Sequence, residues 1–212
     1  MQWILKFFDI LIHLDKYIIY IFQNYGLLSY FIFFLIVFLE TGFVLTPFLP
    51  GDSLLFALGA FAATGTLNIW LLFLILFFAA VLGDSLNYFI GNKIGPKIFN
   101  QNTKFFTKEY LDRTHLFYEK HGAKTIIIAR FIPIIRTFAP FVAGIAKMNY
   151  LRFLMYNIIG AILWVGLFVL TGFFFGNIPI VKENLSIVLL IIILFSFIPI
   201  LYEFIKHRMK KN

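Results

Sequence analysis

The sequence contains no cysteine among its 212 residues. Disulfide bonds and thiolate metal sites are therefore excluded. Charged residues are also scarce, at 13% of the chain, about half the fraction found in ordinary soluble domains. Hydrophobic residues make up 61%, including 30 phenylalanines, which is more apolar surface than a protein of this size can hide from water. These features exclude a soluble fold and predict an integral membrane protein.

Long apolar runs support the same prediction. Leu27–Leu39, Ile69–Leu82 and Ile187–Leu201 suit the helices of ~20 residues that cross a bilayer. The predicted organisation is a single integral membrane domain over residues 1–212. The first residues lack the basic region and the small-residue cleavage site of a signal peptide. We therefore expect segment 1–26 to be a retained N-terminal interfacial helix.

Basic residues are concentrated in two places. Segment 91–124 carries seven lysines and arginines, and the tail 206–212 carries four. A net charge of +8 could indicate a nucleic-acid partner, but the positive-inside rule explains both segments if they face the cytoplasm. We therefore predict a multi-pass protein whose basic loop and C-terminus are cytoplasmic, with no nucleic-acid partner.

Two cytoplasmic basic segments require an even number of crossings between them. Residues 150–176 and the last span, 185–205, supply two crossings, and the polar link Asn177–Asn184 then faces outward. Segment 125–147 is apolar, but a further crossing of the membrane there would make the number of crossings odd. It is predicted to be a re-entrant hairpin that enters and leaves on the cytoplasmic side, within a second repeat at 125–176.

The first repeat, residues 27–90, presents the same arrangement. Its two predicted spans enclose segment 41–65, where prolines and glycines interrupt a continuous helix. Such backbone is tolerated at membrane depth only when it is buried in protein or lines a wet cavity, so a second hairpin is predicted, entering from the outside. The fold class is an all-α polytopic membrane protein with about four spanning helices and two re-entrant hairpins. The residues predicted to shape the hairpins are Pro47, Pro50, Gly51, Pro133, Pro140 and Gly144.

Glycine spacing predicts an inverted internal repeat. Gly59 and Gly91 have the same separation along the chain as Gly144 and Gly176. The residues around the second glycine of each pair also match, FIGN against FFGN, which predicts that a long helix ends at Gly-Asn in each half. Paired broken segments in the two halves of a membrane protein indicate a transport site.

Ionisable residues inside the predicted membrane segments separate by sign. Those of the first half are acidic: Glu40, Asp52 and Asp84. Those of the second half are basic: Arg130, Arg136, Lys147 and Arg152. A charge at the bilayer centre costs at least ~2.5–3.5 kcal/mol, so such residues need partners or water. They could simply pair and join the halves, and Lys147 and Arg152 could extend to the membrane surface.

A functional interpretation gives the two signs different roles. Arginine is well suited to gripping phosphate, so Arg130 and Arg136 are the candidate phosphate-binding residues. A carboxylate in a low-dielectric site can take up a proton near neutral pH, so Glu40, Asp52 and Asp84 are the candidate proton-coupling residues. Together they predict a proton-coupled carrier of an anionic substrate, with no cofactor or metal beyond the protons.

Two polar stripes at helical spacing accompany the charges. The first consists of Asp84, Asn87, Tyr88 and Gly91, and the second of Asn157, Gly160 and Trp164. Small and polar residues also favour helix packing in membranes. Packing is the preferred interpretation for all of them except Asp84.

Several blocks of sequence resemble the DedA family, bacterial membrane proteins of the wider VTT, or SNARE-associated, group. The blocks are Phe38–Gly42, Thr46–Ser53, Gly83-Asp84 with Asn87–Gly91, Tyr118–Gly122, and Ala129–Pro140 followed by Ala143-Gly144. The Pro-Gly-Asp and Arg-Phe-x-Pro-x-x-Arg patterns are the specific ones. The resemblance covers nearly the whole chain, without departure at the charged positions.

The resemblance implies a function in lipid transport across the bacterial cytoplasmic (inner) membrane. DedA-like proteins are associated with membrane and envelope homeostasis and with dependence on the proton motive force. Members act as translocases, or flippases, of undecaprenyl phosphate, while relatives move or scramble phospholipids. The family's functional acids correspond here to Glu40 and Asp52, and its functional arginines to Arg130 and Arg136. Undecaprenyl phosphate or a phospholipid is therefore the expected partner.

Two other classes of function stay open. A membrane lipid phosphatase would need a nucleophile and a general acid. The histidines lie outside the predicted spans and hairpins, at His13, His115, His121 and His207, so we predict that the protein is not an enzyme. A non-transporting scaffold would tolerate neutral replacement of its membrane charges. The sequence also allows a homo-oligomer.

Overall fold

A computed structural model of the chain describes residues 14–43, 51–99, 122 and 124–195. As predicted, these residues form helices, and no strand occurs among them. In chain order the helices are α1 (Leu14–Tyr25), α2 (Leu28–Gly42), α3 (Gly51–Ala63), α4 (Ile69–Phe99), α5 (Lys124–Ala129), α6 (Pro133–Ile145), α7 (Tyr150–Phe175), α8 (Pro179–Glu183) and α9 (Leu185–Phe195).

Two of these helices are long and apolar enough to cross a bilayer. They are Ile69–Ile94, within α4, and Tyr150–Phe175, which is α7, and both coincide with predicted spans. The described parts of α2 and α9 are apolar but shorter, and residues 196–205 of the predicted last span lie outside the described residues. The all-helical fold is confirmed for the described residues, and the count of four spans stays a prediction.

Large apolar side chains cover the outer faces of the long helices. Trp70, at the start of α4, is 75% exposed, and Leu151 and Phe174, near the two ends of α7, are each 69% exposed. Soluble proteins rarely expose large contiguous apolar surface. In a bilayer such residues contact lipid, and tryptophan near a helix end suits the membrane interface.

The second predicted hairpin segment is an interrupted helix. Helix α5 ends at Ala129, and α6 begins at Pro133. Proline has no N–H and disfavours helical backbone in the residue before it, so Ile132 is extended, with φ −117° and ψ 108°. Proline is well tolerated at the start of the helix that follows.

In the first predicted hairpin segment, the structure describes the chain as far as Phe43 and again from Gly51. Helix α2 ends at Gly42, and α3 begins at Gly51. Pro47 and Pro50 lie between these helices, outside the described residues. Gly51 is buried at the first position of α3.

The predicted end of the first long helix at Gly91 is wrong. Helix α4 continues through Gly91 to Phe99 and so enters the predicted basic segment 91–124, whereas α7 does end just before Gly176. The carbonyl oxygen of Phe141 approaches Gly91 so closely that a Cβ would collide with it. The glycine therefore serves close helix packing, and it does not end the helix.

The described residues belong to two compact units, each assembled from separate stretches of the chain. The arginine unit comprises the described residues of Leu35–Leu49 and Phe77–Trp164. The terminal unit comprises those of Met1–Phe34, Pro50–Leu76 and Val165–Asn212. Helices α2, α4 and α7 contribute residues to both units.

In the terminal unit, α3 packs against α7 through glycines. A Cβ on Gly59 would collide with the carbonyl oxygen of Val169 and lie 3.0 Å from the backbone nitrogen of Phe173. A Cβ on Gly172 would collide with the carbonyl oxygen of Phe56. The two helices thus meet backbone to backbone, as small residues permit in membrane proteins.

In the arginine unit, α6 packs against α4 through the same kind of contact. A Cβ on Gly144 would collide with the carbonyl oxygen of Tyr88 and lie 2.7 Å from the backbone nitrogen of Asn92. Gly91 meets the carbonyl of Phe141 in turn. Gly144 is thus buried at a helix contact, which brings the interrupted segment close to a long helix.

Helices α4 and α7 run antiparallel within the arginine unit. The Nδ2 of Asn157 donates to the carbonyl of Val81 at 3.1 Å. Further along α4, Tyr88 stacks on Phe153, which is earlier in α7, with ring centroids 4.6 Å apart. This pairing places the polar stripe of each helix in the same unit.

Candidate functional site

Arg130 and Arg136 lie on the two sides of the break between α5 and α6. Arg130 follows the last residue of α5, and the N–H of Arg136 bonds the carbonyl of Ile132 at 2.9 Å near the start of α6. Pro133 starts this helix, and Pro140 lacks the N–H that would bond the Arg136 carbonyl. Both arginines are buried, at 3% and 5% exposure.

Each buried arginine forms an ion pair with a buried acid from the first half of the chain. Arg136 pairs with Glu40, near the end of α2, and Arg130 pairs with Asp84 in α4. All four side chains are desolvated, so an arginine whose acid was removed would carry a costly uncompensated charge. The structure thus brings together four of the five charged residues that the sequence singles out for function.

Asp52, the fifth residue, belongs to the terminal unit. It is buried in the first turn of α3, where a negative charge complements the helix dipole. Its role in proton coupling stays a prediction. Lys147 and Arg152 are exposed, which agrees with side chains that extend to the membrane surface.

The indole of Trp164 contacts both guanidinium groups. The Cζ atom of Arg136 lies 5.0 Å from the ring centroid, and that of Arg130 lies 5.8 Å from it. Trp164 is fully buried in α7. Because the face of a tryptophan ring attracts cations, the indole offsets part of the repulsion between two positive charges that share one surface.

Asn157 completes the surroundings of Arg130. Since its Nδ2 donates to the carbonyl of Val81, its Oδ1 faces Arg130 and accepts a hydrogen bond from Nη2. The same Nη2 also donates to Oδ2 of Asp84. Among the described residues, no acceptor contacts Nε or Nη1 of Arg130, although both atoms are buried.

Asn87 connects the two predicted hairpin segments, 41–65 and 125–147. Its Nδ2 donates to the carbonyl of Thr41, in α2, at 3.2 Å and to the carbonyl of Thr137, in α6, at 2.6 Å. Asn87 and Thr137 are both fully buried. This residue of the first polar stripe therefore holds the chain near Glu40 close to the chain near Arg136.

The roles of Asn157 and Trp164 were missed by the sequence argument, which assigned their stripe to helix packing. The available signal was their spacing with Gly160, which places all three on one face of a helix. That spacing cannot show which helix the face meets. The structure shows that it meets the polar residues of the arginine unit.

The arrangement suits a reversibly bound anion. Two guanidinium groups, each neutralised by a carboxylate, can exchange these acceptors for phosphoryl oxygens. In the described part of the chain, no group of three or more His, Cys, Asp or Glu residues is placed to hold a metal ion. All four histidines lie outside the described residues.

Comparison with known proteins places this chain within a family. The VTT domain matches residues 49–174. The chain is 52% identical over 203 residues to Protein DedA of Escherichia coli (strain K12), with 94% of this chain and 93% of that protein covered. It is 47% identical over 167 residues to an uncharacterized membrane protein of Mycobacterium leprae (strain TN), with 78% and 75% covered.

A further relative is Inner membrane protein YqjA of Escherichia coli (strain K12), 36% identical over 152 residues, with 71% of this chain and 69% of that protein covered. No solved structure matches the chain. The matched domain covers more than half of the sequence, and the match to Protein DedA covers 94% of it. The chain therefore belongs to the DedA family of membrane proteins that carry the VTT domain.

Proposed function

We propose that the protein is a proton-motive-force-linked translocase of a phosphate-bearing lipid, with undecaprenyl phosphate as its substrate. The observation that carries the proposal is the state of Arg130. This side chain is buried and is held at Nη2 by Asp84 and Asn157, while Nε and Nη1 contact no acceptor in the described part of the chain. Arginine N–H groups bind phosphate oxygens strongly in such surroundings. The family resemblance favours undecaprenyl phosphate among the phosphate-bearing lipids.

In the proposed cycle, the acids and the lipid phosphate compete for the arginines. Glu40 and Asp84 neutralise Arg136 and Arg130 when no lipid is bound. An entering phosphate takes over guanidinium donors, and a displaced carboxylate in a low-dielectric site favours its protonated form. Proton uptake on one side and release on the other then link lipid movement to the proton motive force, with Asp52 as a third proton-coupling acid.

The two re-entrant hairpins and their inverted repeat are part of this proposal, and the glycine contacts support them. In each predicted hairpin segment, the helix packs on the long helix of the other half of the sequence: α3 packs on α7, and α6 packs on α4. The corresponding residues are Phe56, Gly59 and Gly172 in the terminal unit and Phe141, Gly144 and Gly91 in the arginine unit. Gly91 thus corresponds to Gly172, whereas the spacing in the sequence had suggested Gly176. Broken helices in paired repeats commonly form transport sites.

The proposed location is the bacterial cytoplasmic membrane, with segment 91–124 and the C-terminus in the cytoplasm. The positive-inside rule supports this orientation, and one relative is named an inner membrane protein. Within the terminal unit, Nδ2 of Asn177 donates to the carbonyl of Ala63 at 2.9 Å. That bond fits a common outward location for the ends of α3 and α7.

A leaflet-exchange assay in proteoliposomes tests the proposal. It compares fluorescent undecaprenyl phosphate with labelled phospholipids, with and without a pH gradient, for the wild type, Arg130→Ala and Arg152→Ala. We expect gradient-dependent movement of undecaprenyl phosphate that falls at least about ten-fold in Arg130→Ala, since a hydrogen bond to a charged group is lost. Arg152→Ala is the matched control because Arg152 is exposed.

Other outcomes would support other functions. Equal movement of all lipids would indicate a phospholipid scramblase. Movement no faster than that of Arg130→Ala would favour a non-transporting scaffold. Release of inorganic phosphate from the lipid would indicate a phosphatase and contradict our proposal that the protein is not an enzyme.

A further inference from the structure

Asn157, Gly160 and Trp164 lie on one face of α7, beside Arg130. Asn157 accepts the hydrogen bond from Nη2, and the ring centroid of Trp164 lies 5.8 Å from Cζ. A Cβ on Gly160 would lie 3.4 Å from Nε and 3.6 Å from Cδ of Arg130. We call these three residues the α7 face.

Each residue of the α7 face acts on a different part of the guanidinium group. Asn157 is itself held by the carbonyl of Val81 at 3.1 Å, so it fixes Nη2 from a rigid position. Trp164 presents its aromatic face, which attracts the cation. The ring does not occupy the N–H groups that point outward in the plane of the guanidinium group. Gly160 places no side chain beside Nε, where a Cβ would lie 3.4 Å away.

We infer that the α7 face is a positioning surface, which orients Arg130 so that Nε and Nη1 meet the phosphoryl group of the lipid. This inference rests on the proposed function, because it assigns the atoms through which Arg130 binds phosphate. It extends the site to three residues that touch Arg130 and do not themselves carry charge. At position 160, the methyl group of alanine would lie against Nε and Cδ of Arg130.

Glycine-to-alanine substitutions on α7 test the inference with a matched control. Gly160→Ala adds a methyl group 3.4 Å from the polar Nε of Arg130, whereas Gly166→Ala adds one 3.7 Å from the apolar ring of Phe73. Both distances are van der Waals contacts, so the two variants differ in the group that the methyl meets. Initial rates of leaflet exchange are measured against the concentration of undecaprenyl phosphate. We expect Gly160→Ala to raise KM about ten-fold, as for loss of one hydrogen bond to a charged group, with a smaller effect on the maximal rate. Gly166→Ala should retain the KM of the wild type.

Substitutions of Trp164 provide a second, independent test. Trp164→Phe keeps an aromatic face for the cations, and Trp164→Leu keeps only apolar volume. We expect Trp164→Leu to raise KM more than Trp164→Phe does, because only phenylalanine keeps an aromatic face for the guanidinium groups. Thermal unfolding of both variants measures the loss of packing separately. If Gly160→Ala does not fold, this pair of variants decides the question.

The outcomes separate the inference from the proposed function. If Arg130→Ala transports normally, both fail. If Arg130→Ala loses transport while Gly160→Ala and Gly166→Ala share the KM of the wild type, the proposed function stands and the positioning role of the α7 face is rejected. Equal KM values for Trp164→Phe and Trp164→Leu would reject it as well.

Discussion

The residues that define the site are buried charges, and their free energy limits what the site can do. Glu40 is fully buried and Arg136 is 5% exposed. A lone charge at membrane depth costs at least ~2.5–3.5 kcal/mol even on lenient scales. Each arginine therefore needs its acid whenever no anion is bound, and a displaced acid needs a proton. The ion pairs and the proposed proton coupling are consequences of the same desolvation.

A double-mutant cycle on Glu40 and Arg136 tests this coupling. Glu40→Gln should lower the free energy of unfolding in detergent by about 3–5 kcal/mol, because it leaves a buried guanidinium without its counter-charge. Adding Arg136→Gln should restore part of the loss, which gives a favourable coupling between the two sites. Arg152→Gln, at an exposed position, should have little effect. Strictly additive losses would show that the two residues do not stabilise each other.

At this scale the sequence predicted which charged residues lie in the membrane segments but not how they pair. The separation of acidic and basic residues between the two halves identified Glu40, Asp84, Arg130 and Arg136, because charged residues are rare and costly in apolar segments. The assignment of Asp84 to Arg130 depends on how α4 meets the break after α5, which no local pattern encodes. Trp164 carried no signal of its own, since a buried tryptophan is ordinary in an apolar helix.

The elements that carry the site are short helices packed on long ones through glycine. The break before α6 was predictable because Pro133 restricts the backbone on both of its sides. The end of α4 was not predictable, because a glycine that ends a helix and a glycine that permits close helix packing look alike in a sequence. Gly91 lies inside a helix and provides close contact with Phe141, whereas Gly176 follows the end of α7.

Gly91→Ala tests the packing role of this glycine. Its Cβ would collide with the carbonyl oxygen of Phe141, so we expect a loss of stability of about 1–3 kcal/mol, as for overpacked cores. Gly166→Ala is the control, because its Cβ has room and alanine is the better helix former. Thermal unfolding in detergent should therefore show a lower melting temperature for Gly91→Ala alone. Equal melting temperatures would mean that α6 does not pack closely on α4.

For the whole molecule, composition was enough to predict a helical membrane protein, because so apolar a chain has no soluble alternative. The division into two units was not predictable. It depends on contacts between segments far apart in sequence, such as those of α3 with α7 and of α6 with α4. The orientation in the membrane rests on the distribution of lysine and arginine.

Single-cysteine labelling tests this orientation directly, because the natural sequence contains no cysteine. Thr66→Cys and Lys182→Cys should react with a membrane-impermeant maleimide from outside intact cells. Arg152→Cys should react only after the membrane is opened. All three positions are exposed, so poor access would not confuse the result. Labelling of Arg152→Cys from outside would overturn the proposed orientation.

A comparison of undecaprenyl phosphate with undecaprenol, which has the same tail and no phosphate, tests directly whether the protein recognises the phosphate. Leaflet exchange of both lipids is measured in the same proteoliposomes, with the wild type and with Arg130→Ala. If the buried arginines bind the phosphate, the wild type moves undecaprenyl phosphate at least about ten-fold faster than undecaprenol, and Arg130→Ala removes the difference. Equal rates for the two lipids in the wild type would contradict the account, because the protein would then recognise the tail and not the phosphate.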